Sequence, residues 1–185
     1  QEALGRVFAA GNPVIAGKPE VAFREVLRAA PTQLAGMPPE IRLSVQYTVA
    51  LAQAQIGDDQ AAIDGFAAAA EIAAELGLGR ARAQAELRRI MVAVAHVDIA
   101  ESARAAEALL ADPHVLADPL LHAGSLISAS GIATLQLRDQ TAAARLSAAR
   151  ALWPRATAIA PAIDDATLDA EVEIGLHLLQ LASMA

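Results

Sequence analysis

The stretch GDDQAAIDGFAAAA, Gly57 to Ala70, returns in weakened form as LRDQTAAARLSAAR from Leu137 to Arg150. A displacement of 80 residues carries Asp59-Gln60 onto Asp139-Gln140, and Ala62, Phe66 and Ala69 onto Ala142, Leu146 and Ala149. Halving the displacement to 40 keeps the pattern. The Ala62 position then recurs as Ala22, Ser102 and Ala142, the Phe66 position as Val26, Ala106 and Leu146, and the Ala69 position as Ala29, Leu109 and Ala149. Gly57 falls on Gly17 in one direction and on Val97 in the other. Self-similarity at a fixed period of this size is the signature of stacked supersecondary units. The chain therefore reads as one helical-repeat domain over 1–185, with units at about 1–40, 41–80, 81–120 and 121–160 and a remainder from Ala162.

Each unit reads as two helices. In the second, Leu43, Tyr47, Ala50, Leu51 and Ala54 recur at helical spacing. Gly57-Asp58-Asp59 interrupts them, with Asp58 or Asp59 placed to cap the next helix. Ala62, Ile63, Phe66, Ala69, Ala70 and Ala73 make a second apolar face, which Gly77-Leu78-Gly79 ends. Prolines at Pro31, Pro38-Pro39, Pro113, Pro119, Pro154 and Pro161 fall near other expected helix ends. No stretch alternates with period two for long, so no sheet is expected. The last segment, Asp164 to Ala185, carries Leu168, Val172, Leu176, Leu179 and Met184 as an apolar stripe and reads as a capping helix over about 164–183. The fold class is all-α.

Ala62 and Ala69 lie seven apart, on one side of their helix. Small side chains there admit a close partner helix, and Phe66 fills the space between. Hydrophobic residues make up 55% of the chain, but aromatics only 3%, so the core must close by backbone approach over alanine. One helix pair cannot bury its own face, whereas stacked pairs can.

The positions Val49-Ala50, Gly57, Ala62, Phe66 and Ala69 match the small and large positions of the tetratricopeptide repeat, which the second unit resembles. Ser102 and Ala106 depart from the usual residues, and Gln46 stands where tryptophan is often found. The period of about 40, rather than 34, is similar to the variant repeats of large LuxR- and MalT-type bacterial regulators. A single lysine, Lys18, among many arginines and alanines fits a GC-rich bacterial gene. The resemblance implies a right-handed superhelix of antiparallel helix pairs, about four repeats plus a cap. It also implies a concave surface lined by the first helix of each pair. Repeat phase places Tyr47 and Leu51, Leu87 and Met91, and Ile127 and Gly131 on that surface, with Ser44 and Arg88 alongside. The lysine and asparagine positions that grip a peptide carboxylate in chaperone-binding members are absent, so the expected groove is mainly apolar.

Chemistry is hard to find in this chain. There are no cysteines, which excludes disulfides, thiolate metal sites and a thiol nucleophile. His96, His114, His122 and His177 show no metal-binding spacing. Asp58-Asp59 and Asp164-Asp165 precede expected helices, where carboxylates cap and complement the helix dipole. Gly77-Leu78-Gly79-Arg80 follows a helix rather than a strand and lacks the phosphate-loop lysine. Ser125, Ser128 and Ser130 lie in an apolar helix with no nucleophile elbow. No catalytic residue, metal or cofactor is expected.

Net charge is −7, and Arg80, Arg82, Arg88 and Arg89 are the one basic cluster, which argues against nucleic-acid binding. Arg88-Arg89 reads as a solvated face near Glu86 and Asp98, or as an anion-binding spot in the groove. No apolar run approaches the ~20 residues that span a bilayer. A cytoplasmic location is favoured, and the start at Gln1 leaves a removed signal peptide open. The leading expectation is a non-enzymatic scaffold that binds a protein or an apolar, amphipathic peptide segment. The alternative is a ligand-sensing, signal-integrating segment of a bacterial transcription regulator. An enzyme using carboxylates such as Asp58 or Asp98 is the least favoured. The apolar end HLLQLASMA admits a homodimer through terminal helices.

Overall fold

The structure is a computed structural model and describes residues 36–94 and 99–159. Most of the expected unit 1–40, the capping helix over 164–183, His96, Asp98 and His177 lie outside the described residues. The described chain is all-α, as an alanine-rich sequence without strand periodicity requires. Among the described residues, the helices are α1 (Pro39–Gln55), α2 (Asp59–Glu75), α3 (Gly79–Ala93), α4 (Ile99–Leu110), α5 (Pro113–Ala117), α6 (Pro119–Leu135) and α7 (Asp139–Ile159). They group into two compact units, divided between His96 and Val97. In the first unit α2 packs against both α1 and α3, and in the second α6 packs against α4, α5 and α7.

Three of the joints share one construction. Between α1 and α2, the Gly57 N–H donates to the Ala54 carbonyl at 3.2 Å and the Asp58 N–H to the Gln53 carbonyl at 3.0 Å. This is the Schellman closure, in which the last free carbonyls of a helix are met by the two residues after its cap. The α2–α3 joint repeats it with Gly77 to Ala74 at 3.0 Å and Leu78 to Ala73 at 2.8 Å. The α6–α7 joint repeats it again with Leu137 to Thr134 and Arg138 to Ala133, both at 2.9 Å. The residue that closes one helix also opens the next: the carbonyls of Asp58, Leu78 and Arg138 accept from Ala62, Arg82 and Ala142, each at 3.0 Å. The closure needs a left-handed residue, supplied by Gly57 (φ 79°) and Gly77 (φ 69°), but at the third joint by Leu137 (φ 58°). The echo of GDDQ in LRDQ is this joint, rebuilt without its glycine.

The repeat positions read from the sequence converge on the core. Ala62, Phe66 and Ala69, then Ser102, Ala106 and Leu109, then Ala142, Leu146 and Ala149 are all buried. The whole expected face of α2, including Ile63, Ala70 and Ala73, is buried with them. In the first unit Leu43, Ala69, Ala70, Ala73 and Ala85 form one cluster across the three helices. Ala50, Ala62 and Phe66 form a second, onto which Tyr47, Leu51, Ala54 and Val92 pack. Tyr47 meets Phe66 edge-on, with ring centroids 5.5 Å apart. Burying Phe66 contributes roughly 2–3 kcal/mol. Each alanine contributes far less, so the helices must approach closely, and Gly65 permits it. A Cβ at Gly65 would lie 2.9 Å from the Ala50 Cβ and 3.2 Å from Gln53 Oε1.

The second unit adds polar ties to its alanine core. Ala123, Leu126 and Ala149 cluster with Leu110, Ile127 and Leu152 against them. The Ser130 hydroxyl donates to the Ala142 carbonyl across the α6–α7 seam at 3.0 Å. Arg145 of α7 donates through Nη1 to the Ala129 carbonyl of α6 at 2.8 Å, and through Nη2 to the Glu107 carboxylate of α4.

Two local expectations need correction. Pro154 lies inside α7 rather than at a helix end. Asp58 occupies the N-cap position of α2, but its carboxylate makes no capping bond. The backbone carbonyl of Asp58 serves the helix instead. The remaining described prolines behave as expected, since Pro39, Pro113 and Pro119 open α1, α5 and α6.

Candidate recognition surface

Two helices, α1 and α3, carry side chains at positions forty residues apart on one face. On α3, Gln84, Arg88 and Met91 are exposed, spaced four and three apart on one face. Forty residues earlier, on α1, stand Ser44, exposed, and Thr48 and Leu51, half-buried. Tyr47 and Leu87, the next equivalent pair, turn inward. Tyr47 packs against both clusters of the first unit, and Leu87 is only 8% exposed. On α6 of the second unit, Ile127 is half-buried against Ala123, Leu126 and Ala149. Gly131 is half-buried too, and a Cβ built there would meet nothing within 4 Å.

The eight residues singled out in the sequence thus divide by burial. Ser44, Arg88 and Met91 are open to solvent, Leu51 and Gly131 are partly so, and Tyr47, Ile127 and Leu87 belong to the cores. The fully exposed positions are Ser44 and Arg88, both polar, and Met91, which is 42% exposed. Helical phase explains the division. At 100° per residue, Leu87 lies one step around the helix from Arg88 and turns onto the packed side.

The charges on this stretch differ in their freedom. Arg89 is tied to Glu86, Nε to Oε2, at 2.8 Å. Arg80 and Arg82 are engaged as well. Arg88 forms no ion pair with any described residue, and its guanidinium stands on the exposed face. Its neighbour α2 carries Asp59, Asp64, Glu71 and Glu75 without a basic residue, so the basic helix lies beside an acidic one. Next to Arg88, Met91 offers a flexible, polarizable side chain that adapts to varied apolar contacts.

Two hydroxyls of α6 are committed to the backbone of that helix. Ser125 donates to the Leu121 carbonyl at 2.8 Å, and Thr134 to the Ser130 carbonyl at 3.1 Å. Both are buried within α6. Burial lowers the pKa of His122 from its ordinary value, which favours a neutral imidazole. Gly77 and Leu78 belong to the α2–α3 joint, and Gly79 and Arg80 begin α3. Among the described residues no three of His, Asp and Glu gather as a metal site. No described helix is long and apolar enough to cross a membrane.

No protein-family model matches the sequence, and no curated protein matches it. The geometry of the chain itself therefore carries the functional argument.

Sequence reasoning passed over three structural residues. Asp112 caps α5 by accepting from the His114 N–H at 2.8 Å. Asp118 caps α6 by accepting from Leu120 and Leu121 at 3.0 and 3.1 Å. Both stand in Asp-Pro steps, with the proline as first helical residue, and that dipeptide was a readable signal. The clamp by Arg145 had none, because its partners Ala129 and Glu107 lie 16 and 38 residues away.

Proposed function

We propose that this chain is a non-enzymatic recognition module. Its helix pairs act as tetratricopeptide-like units, and the outward faces of the first helices bind a protein or peptide segment. The carrying observation is the forty-residue register on one face of α1 and α3, Ser44 with Gln84, Thr48 with Arg88 and Leu51 with Met91, in which Ser44, Gln84, Arg88 and Met91 are exposed and Thr48 and Leu51 half-buried. A repeated face that stays outside the core is free to vary for recognition while the alanine positions hold the stack. The chemistry of the face favours an amphipathic segment, its apolar side chains against Met91 and Leu51 and an acidic group at Arg88.

The test compares the parent chain with an Arg88→Glu, Met91→Glu variant in affinity capture from native cell extract. Both side chains are exposed, so the variant should keep its helical circular dichroism and its melting temperature within a few degrees. Loss of a captured protein by the folded variant supports this face. Equal capture by both chains refutes it.

A further inference from the structure

We draw no further inference here: the strongest candidate, the apolar tip formed by exposed Leu135 and Leu137 at the α6–α7 joint, carries nothing because no feature of the structure shows what covers it.

Discussion

Ser102 shows how finely the repeat constrains single residues. It is 4% exposed at a position whose counterparts forty residues away, Ala62 and Ala142, are alanine, and its hydroxyl has no hydrogen-bond partner among the described residues. An unpaired buried hydroxyl destabilises a fold, and alanine also suits a helix better. Ser102→Ala should therefore raise stability by about 1 kcal/mol, read as a higher urea midpoint at unchanged slope. Two glycines test the packing argument in opposite directions. Gly131→Ala places its Cβ in open space, so helix propensity alone acts and stability should rise by about 1 kcal/mol. Gly65→Ala drives its Cβ to 2.9 Å from the Ala50 Cβ. Overpacking costs roughly 1–3 kcal/mol and exceeds the propensity gain. That variant should lose stability in the same titration, and a gain would show that α1 and α2 are less tightly apposed.

At the scale of elements, the joints matter more than the helices they connect. Leu137 holds a left-handed conformation that costs a non-glycine residue roughly 1–2 kcal/mol. Its side chain is 78% exposed, so little packing offsets that strain. Leu137→Gly should stabilise the protein by about 0.5–1 kcal/mol, the strain relief less the entropy of a freer unfolded chain. Gly57→Ala and Gly77→Ala should shift the melting curve the other way. The second element-level prediction concerns the three-helix clamp of α4, α6 and α7. Arg145→Met keeps the apolar stem but removes the guanidinium, and should cost about 2 kcal/mol in chemical denaturation, since the bonds lost involve a charged donor. Glu107→Gln should cost less, because the Glu107 side chain is 56% exposed and screened by water. The helices, the joint at Gly57 and the buried alanine register were all legible from local spacing. Leu137 escaped, because it takes a conformation its own residue type disfavours and only its homology to Gly57 marks it. The candidate surface was legible by position but not by burial. Of the residues that repeat phase selected, Ser44, Arg88 and Met91 are exposed, yet Leu87 sits one step of 100° away from Arg88 and falls into the core.

For the whole molecule, the division of buried from open positions decides how function can be probed. Leu87→Asp would bury a carboxylate where the native side chain is 8% exposed. It should abolish the cooperative melting transition and much of the helical signal, whereas Arg88→Glu with Met91→Glu should leave both in place. Binding data from a Leu87 variant would report unfolding rather than recognition. The joints carry a different consequence for the chain. Three residues separate α1 from α2, α2 from α3 and α6 from α7, and the carbonyl of the third accepts the first hydrogen bond of the next helix. Such a connection has no slack. One inserted residue would break the pair of closing bonds and separate the residue that ends one helix from the carbonyl that opens the next. At these three joints an added residue should therefore lower stability, read as a lower melting temperature, more than one added between α3 and α4, where five residues connect the helices.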